Sequence, residues 1–436
     1  MNALSLFNRA GLRLLAGFGL LGIFLVSPVT ARAVTITVNS TNDPAGFNPA
    51  ITIATLGSTV TLRDAMNAAI NTGGTNTILF ATNLAGATVG LLQDSAPMVP
   101  AAFGAALAIR GLAGDSGITI ARTATNAFRL FRNNGILSLA NLTLTGGSAG
   151  GGNGGAIENY GSLNLDGCTF SSNSANYGGA IHAGNGTITM SNTTITANQS
   201  TGGGGGINVE HSLIYATNVT VAGNHSFQGG GVRVGVRNPL FVNSIFSGNT
   251  ATLNYPDING FFNAASHNNL VNRSGNYPGG GGGNAAGGLV NGVNGTILDV
   301  NPLLGPLTNN GGPTPTLALL AGSPAINAGL TAAGLTTDQR GVIRVAPFDI
   351  GAFEFTDSVS PPRLTGLTKA PNGPFQFSFT NVPGASFTVL GSTNAALPLS
   401  NWTSLGAPIE SPAGQYQFTD AQASNNVQRF YRVKSP

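Results

Sequence analysis

One pattern occurs four times in the middle of the chain: Gly154-Gly155-Ala156-Ile157, Gly178-Gly179-Ala180-Ile181, Gly204-Gly205-Gly206-Ile207 and Gly229-Gly230-Gly231-Val232. Its aliphatic residues are 24, 26 and 25 positions apart. A second marker has spacings of 25, 26 and 25, and consists of the asparagines Asn173, Asn198, Asn224 and Asn249. Two independent markers with one period of about 25 residues predict a repeat architecture, in which each unit packs on its neighbours.

Short alternating segments within each unit predict β-strands. In Cys168-Thr-Phe170 and Thr193-Thr-Ile195, the first and third residues face the same side of a strand. The expected inward column is Phe170, Ile195, Val221 and Phe246, and the expected outward column is Thr143, Thr169, Thr194 and Thr220. Short strands separated by turns, without a helical pattern, predict coils of three strands that stack into parallel sheets.

Asparagine at a fixed corner of every coil has a physical reason. It tolerates the left-handed backbone conformation that a sharp corner requires. Its side-chain amide can also donate to the equivalent asparagine one coil away, as in stacked amide ladders. We therefore expect a structural ladder formed by Asn173, Asn198, Asn224 and Asn249.

The composition excludes several classes of protein. Glycine accounts for 64 of 436 residues, and charged residues for only 8 %, while 42 % is hydrophobic. These values exclude a coiled coil and a charge-rich disordered chain, and the glycines lack the period of collagen. Three arginines of the first 33 residues, Arg9, Arg13 and Arg32, account for the formal charge of +3. The neutral remainder has no electrostatic signature for binding nucleic acid.

The first 33 residues have the features of a secretory signal peptide. Arg9 and Arg13 precede the apolar run 14–26, and Ala31-Arg32-Ala33 resembles a cleavage site. A membrane anchor is the alternative, but the run is shorter than the roughly 20 residues that a spanning helix needs. The sequence predicts a secreted or cell-surface protein without a transmembrane segment after signal cleavage. The single cysteine, Cys168, is expected to be a buried small apolar residue rather than a reactive thiol.

Two flanking segments resemble motifs of exported bacterial proteins. Thr61-Leu-Arg63-Asp64-Ala65, followed by Asn76-Thr77-Ile78-Leu79-Phe80, is similar to the CSLREA motif, although the Cys is absent and Asp64 and Asn76 replace Glu and Asp. The second segment contains Asn310-Gly311-Gly312-Pro313, Gly322-Ser323-Pro324-Ala325-Ile326-Asn327 and Asp349-Ile350-Gly351-Ala352-Phe353-Glu354. In this order it resembles a choice-of-anchor Q domain. The repeats resemble those of right-handed parallel β-helices, the pectate-lyase-like fold of bacterial surface proteins.

The resulting fold class is all-β, a right-handed parallel β-helix solenoid followed by a small C-terminal β-sandwich. A helix from Leu62 to Ile70, with Thr61 as its N-cap, is expected to cap the N-terminal end. Phenylalanine- and tyrosine-rich alternating segments after residue 364, together with Trp402, predict the sandwich. The predicted boundaries are 1–33 for the signal peptide, 34–136 for the cap and first coils, 137–300 for the repeats, 301–356 for closing coils, 357–363 for a linker and 364–436 for the sandwich.

One polar column is a candidate binding site. Glu158, His182, Asn208 and Arg233 each follow the aliphatic residue of the repeated step directly. Equivalent positions in adjacent coils are about 4.8 Å apart, so these side chains would line an outward strip able to contact a sugar chain. The alternative is a solvated face, because the position after an inward residue is normally polar.

No catalytic residue, metal site or cofactor is predicted. Glycoside hydrolysis needs converging carboxylates, and the few acids of the repeats include no adjacent pair. The remaining histidines, His211, His225 and His267, lack the spacing of metal ligands. Four charged residues of the last motif, Asp338, Arg340, Asp349 and Glu354, are expected to form ion pairs that stabilise the final coil.

The sequence favours an exported protein that presents an extended surface at or outside the cell envelope, in adhesion or in binding polysaccharide or matrix. Two alternatives stay open: a carbohydrate-active enzyme, either lyase or hydrolase, and a structural spacer on the cell surface.

Overall fold

The computed structural model describes residues 33–43, 48–92, 98–99, 106–273, 288–331, 335–356, 362–371, 373–381 and 383–434. The proposed signal peptide, the Gly-rich segment 279–287 and most of the expected linker lie outside these residues. The chain is mostly β, with a parallel β-solenoid of about seven turns and a C-terminal antiparallel region. The predicted fold class is therefore confirmed.

Four faces, rather than the three expected, surround the solenoid where its coils are complete. The first face contains Thr35–Val38, Thr75–Phe80, Ala106–Arg110, Ile136–Ala140, Ser162–Asp166 and Leu240–Val242, and the second contains Thr88–Leu91, Ile118–Arg122, Leu142–Thr145, Thr169–Ser171, Ile245–Ser247, Leu270–Val271 and Ile297–Leu298. The long strands Thr187–Thr196 and Leu213–Ala222 belong to both faces and join them into one 15-stranded sheet.

The third and fourth faces are separate sheets. The third contains Ser174–Tyr177, Gln199–Gly203, His225–Gln228 and Thr250–Asn254, and the fourth contains Met98–Val99, Phe131–Asn133, Ile157–Asn159, Ile181–Ala183, Ile207–Val209, Val232–Val234 and Ile258–Asn259. Glycine is required at the corner between them. Gly204, for example, has φ of +66°, and a Cβ there would lie 2.2 Å from the carbonyl oxygen of Ile207. The repeated Gly-Gly step is this corner.

The core consists of inward columns with one residue from each coil. Phe170 pairs with Ile195, Ile195 with Val221, and Val221 with Phe246, and all four are fully buried. At the corner between the first and second faces φ is positive, and the residues there are Asn141, Gly167, Asn192, Asn218 and Asn243. The alternation and the corner asparagines thus position the side chains as the sequence predicts. At the next corner the left-handed residue is not the expected ladder asparagine but the residue before it: Ser172, Ala197, Gly223 and Gly248.

An α-helix, Leu62–Thr72, packs on the first strands of the solenoid. Thr61 is its N-cap, and a capping box with Asp64 satisfies two backbone N–H groups. The helix ends two residues later than expected. Its Arg63 forms a buried ion pair with Asp43, with Nη2 to Oδ2 at 2.8 Å, which fixes the cap to the chain before it. The remaining helical turns are 3₁₀: Ile53–Thr55, Thr82–Leu84, Val293–Gly295, Leu399–Asn401 and Ala423–Asn425.

Residues 301–356 do not form the closing coils that we expected. Among the described residues of this stretch, the strands Leu304–Thr308 and Thr316–Leu319 pair antiparallel with each other and join none of the parallel sheets. This segment, which we call the return segment, lies along the second face and covers its threonine column. Gly312 N–H donates to Asp115 Oδ1 at 3.0 Å, and Ala352 N–H donates to Thr220 Oγ1 at 3.0 Å. Side-chain hydrogen bonds to the outward threonines hold it there, which is why those threonines are buried.

The charged residues of the return segment form a buried network, with one partner that we did not foresee. Arg340 pairs with Asp338 at 2.7 Å, while Glu354 pairs with Arg344 at 2.9 Å. Asp349 accepts hydrogen bonds from the backbone N–H groups of Asn327 and Phe355. The network stabilises the fold of the return segment itself rather than a final coil.

The C-terminal module consists of two antiparallel sheets. One contains Thr365–Lys369, Phe375–Thr380, Gln415–Asp420 and Ile409–Glu410, and the other contains Thr403–Gly406, Thr388–Ser392 and Phe430–Lys434. Phe377, Phe379, Phe387 and Tyr416 pack between them. Trp402 is buried, but it lies outside this cluster, beneath the guanidinium of Arg432 at 5.4 Å.

Candidate ligand-binding surface

The asparagine column lies at the corner between the second and third faces. Asn198 Oδ1 accepts from Asn173 N at 3.0 Å and from its Nδ2 at 2.9 Å. The same two bonds join Asn198 to Asn224 and Asn224 to Asn249. The amides also donate to backbone carbonyls, for example from Asn173 to Leu144 at 3.1 Å. All four asparagines are buried and fully engaged with the fold, so they are not available to a ligand.

The second predicted column lies along the outer side of the fourth face. Glu158 pairs in register with His182, His182 with Asn208, and Asn208 with Arg233. The structure therefore brings together all four residues of the candidate strip. Arg132 extends it by one coil, because it pairs in register with Glu158.

The middle of this column is neither a solvated face nor an open strip. Glu158, His182 and Asn208 are 7 %, 1 % and 0 % exposed. Flanking aromatic rings account for part of this burial. The ring of Tyr160 makes an edge contact with His182 at 6.3 Å between centroids, and Arg233 lies over Tyr177 at 5.4 Å. A ligand would meet the borders of the column rather than its centre.

Glu158 is held by charged and polar neighbours. Its Oε2 lies 3.3 Å from Arg129 Nη1 and 3.4 Å from Arg132 Nε, and Tyr160 donates to its Oε1 at 3.2 Å. Burial, followed by the charge of Glu158, raises the pKa of the Tyr160 hydroxyl, so the phenol stays protonated and donates. These contacts fix the carboxylate in one orientation.

His182 connects the column to a second acid. Its Nδ1 lies 3.1 Å from Asn208 Nδ2, and its Nε2 lies 3.5 Å from Glu210 Oε2. Burial lowers the pKa of the imidazole, so it is neutral at pH 7. Arg233 closes the column by donating from Nη1 to Asn208 Oδ1 at 3.0 Å.

The exposed border consists of residues that sequence reasoning largely missed. The side chains of Arg132 and Glu210 are each 46 % exposed, and Tyr160 is 38 % exposed. Two signals were available: the interval of 26 residues between Arg132 and Glu158, and the interval of 50 residues, two periods, between Tyr160 and Glu210. Tyr160 and Glu210 lie directly after the strands, at a repeat position that is glycine in other coils, namely Gly184 and Gly235. We call Arg132, Tyr160 and Glu210 the rim.

A second polar surface lies at the corner covered by the return segment. It is a cleft of about 330 Å³, lined by Asn141, Asp166, Asn192, Pro313, Asp338 and Arg340 among others. Asp166 accepts from Ser191 Oγ at 2.6 Å, and Asp338 is paired with Arg340. Its charged groups therefore have partners within the protein.

Other predicted features are placed as follows. Cys168 is fully buried, and burial raises the pKa of its thiol to about 12, so it is not a thiolate at neutral pH. Within the described ranges, no group of three His, Cys, Asp or Glu residues is arranged to hold a metal ion. None of the described helices combines the length and the apolar character needed to span a membrane.

No protein-family model matches the chain. No curated protein matches its sequence either. The resemblance to choice-of-anchor Q proteins therefore depends on the quoted motifs, and only the β-helix fold is established.

Proposed function

We propose that the chain is an exported β-helix protein that binds a polysaccharide or another matrix component along the fourth face of its solenoid. The signal-peptide features of residues 1–33 support export to the cell surface or the medium. The neutral net charge of the remaining chain argues against nucleic acid as the partner.

One observation carries the binding proposal. Arg132, Tyr160 and Glu210 form a partly exposed rim above a buried row of hydrogen-bonded side chains. Sugar-binding sites combine an aromatic surface with fixed polar groups, and groups that are fixed before binding lose little entropy on binding. The row below the rim supplies that fixation, because Glu158 orients Tyr160 and Arg132 while His182 orients Glu210.

The experiment is a binding assay of the mature chain on a panel of immobilised polysaccharides. Tyr160→Ala is expected to weaken binding about tenfold, because it removes the ring and the hydrogen bond to Glu158. Tyr215→Ala is the matched control, because Tyr215 is 47 % exposed but lies on the first face. If no polysaccharide binds, or if only the control variant loses binding, the proposal is wrong.

A carbohydrate-active enzyme is the second candidate, and one observation favours it. His182 Nε2 lies 3.5 Å from the partly exposed carboxylate of Glu210, and an imidazole–carboxylate pair is one that general acid–base chemistry can use. The same incubations are assayed for reducing ends and unsaturated products. Turnover by the wild type that is lost in the double variant Glu158→Ala/His182→Ala would replace the binding proposal by an enzymatic one.

A further inference from the structure

Arg233 closes the polar column without an acidic partner. Within the described residues, no carboxylate lies within ion-pair distance of its guanidinium. Its hydrogen bond goes from Nη1 to Oδ1 of Asn208, a neutral amide, at 3.0 Å. A guanidinium carries more N–H donors than this one bond uses, and the side chain is only partly buried. Arg233 therefore offers a ligand both a positive charge and hydrogen-bond donors.

The position of Arg233 is fixed by the residues around it. Because Arg233 can only donate, the oxygen of Asn208 faces it, and Asn208 presents its Nδ2 to Nδ1 of His182 at 3.1 Å. Asn208 and His182 are both buried, so water does not compete for these bonds. The guanidinium also lies over the ring of Tyr177, 5.4 Å from its centroid. A group that is fixed before binding loses little entropy when the ligand binds.

Two glycines of the third face leave the space that this arrangement needs. A Cβ at Gly202 would lie 2.7 Å from the ring of Tyr177, and a Cβ at Gly203 would lie 2.3 Å from Cδ of Arg233. Arg233 therefore leans toward the border with the third face. The exposed acid, Glu210, directly follows the strand Ile207–Val209 and lies at the opposite border, toward the first face. It does not cover the guanidinium.

The charges along the column favour an anionic ligand. Arg129 and Arg132 both lie within 3.4 Å of Glu158, and one carboxylate compensates only one of these two charges. When Arg233 and Glu210 are added, three positive charges face two negative ones, because His182 is neutral. Residues 34–436 contain equal numbers of basic and acidic side chains, so the positive excess is a property of this surface.

We propose that the guanidinium of Arg233 is a subsite for the anionic group of an acidic sugar residue, a carboxylate or a sulfate, which its planar fork binds in a bidentate manner. This inference rests on the proposed function and specifies its ligand as an acidic polysaccharide. Arg132 lies four coils away in the same column, about 19 Å at one strand spacing per coil. An extended chain that follows the column reaches both arginines.

The test uses two matched pairs of polymers at one ionic strength: alginate with carboxyl-reduced alginate, and dextran sulfate with dextran. Wild type is expected to bind the acidic member of a pair about tenfold or more tightly than the neutral member, and that pair identifies the anion as carboxylate or sulfate. Arg233→Gln removes the charge and is expected to weaken this binding about tenfold, the usual loss for a charged hydrogen bond. Arg110→Gln, which removes an exposed arginine from the first face, is expected to change it less than about twofold.

The outcomes separate this inference from the proposal on which it rests. Neutral polymers that bind as tightly as their acidic counterparts would overturn the acidic subsite but preserve polysaccharide binding. Equal losses in Arg233→Gln and Arg110→Gln would also overturn the subsite, because they would reflect the net charge of the protein alone. If neither these polymers nor the polysaccharide panel binds, both proposals fail.

Circular dichroism and thermal melting show whether the loss in Arg233→Gln reflects unfolding. If that variant does not fold, Arg233→Lys is measured in its place. A lysine retains the charge but lacks the planar fork, so we expect acidic polymers to bind about threefold more weakly. Binding by Arg233→Lys that equals the wild type would overturn the bidentate pairing.

Discussion

Asn249 Nδ2 donates a hydrogen bond of 2.7 Å to Oδ1 of Asp257, so the asparagine column ends on a fully buried carboxylate. The same oxygen accepts from the backbone N–H of Asn249 at 3.3 Å, as an asparagine oxygen does in the earlier coils. The other oxygen accepts from the N–H of Arg273 at 2.8 Å. An ionised carboxylate only accepts, so Asp257 satisfies the last asparagine without offering a donor to another coil.

This end of the ladder predicts an unusual dependence of stability on pH. Burial raises the pKa of Asp257 from 3.8 to about 6. Because the folded value is above the unfolded one, the stabilisation is complete below about pH 4 and is lost as the pH rises through about 6. This rise of the pKa from 3.8 to about 6 corresponds to about 3 kcal/mol in the free energy of unfolding. Burial raises the pKa of Asp349 to about 6 as well, which adds in the same direction.

Thermal melts of the mature chain between pH 4 and 7 check this prediction. The lowered pKa of His182 contributes in the opposite direction. Against it, the two aspartates lead us to expect a Tm that falls as the pH rises, and we expect Asp257→Asn to flatten the curve because an amide does not ionise. Asp166→Asn, which removes an exposed carboxylate, is the control and should keep the slope of the wild type. A Tm that rises over this range, or an unchanged slope in Asp257→Asn, would contradict it.

The centre of the ladder is expected to be the most sensitive to substitution. Asn198→Ala removes the acceptor of Asn173 and the donor to Asn224, and it leaves their buried polar groups unsatisfied. We expect a loss of about 3 kcal/mol or more in the free energy of unfolding, measured by denaturant titration. Asn164→Ala, which removes an exposed hydrogen bond to Ser138, should cost less than about 1 kcal/mol. Equal losses of unfolding free energy in Asn198→Ala and Asn164→Ala would show that the ladder stabilises the fold no more than an exposed hydrogen bond does.

The period and the alternation were enough to predict the coils, because each coil repeats the same local choices. Phe170 and Ile195 could be placed in one column from sequence alone, as could Glu158 and His182. The return segment could not, because its contacts join residues such as Gln339 and Thr169 that are 170 positions apart. The rim was missed for a different reason. Tyr160 and Glu210 occupy one position of the repeat, but glycines occupy that position in other coils, at Gly184 and Gly235, so the sequence shows no polar column there. The burial of the polar column likewise depends on flanking rings that no periodic pattern predicts.

The docking of the return segment on the second face is predicted to depend on the side-chain amide of Gln339. Gln339 Oε1 accepts from Thr194 Oγ1 at 2.6 Å, and its Nε2 donates to Thr169 Oγ1 at 2.7 Å. Gln339→Leu removes these bonds and those from Nε2 to Cys168 O and Thr314 Oγ1. We therefore expect a loss of about 2–3 kcal/mol and faster proteolysis within 301–356. Asn309→Ala, which removes a bond at the exposed edge, should leave the cleavage rate near that of the wild type. Cleavage that begins in the repeats would argue against this role.

Gly203, on the third face, is predicted to be needed for the position of Arg233 in the polar column. A Cβ at Gly203 would lie 2.3 Å from Cδ of Arg233, so Gly203→Ala should displace Arg233 and break its bond to Asn208. We expect weaker binding of polysaccharide together with a destabilisation of about 1–3 kcal/mol. Gly151→Ala is the control, because no atom lies within 4 Å of a Cβ there. Unchanged binding in Gly203→Ala would show that Arg233 and its bond to Asn208 do not orient the rim.

The C-terminal module is predicted to fold alone and to determine where the protein is retained. In the described residues its strands pair only with each other, and its aromatic cluster contains no residue of the solenoid. A sandwich of this size can bury its own core, so a fragment beginning at about residue 360 should melt cooperatively. The solenoid truncated after Thr356 should keep its fold, because the return segment and its ion pairs end before that point.

Retention at the surface is our hypothesis, tested by fractionating cells that express either form. We expect more of the truncated form in the medium, and equal retention would assign anchoring to another part of the chain. Unfolding of the truncated solenoid would show instead that the two parts depend on each other.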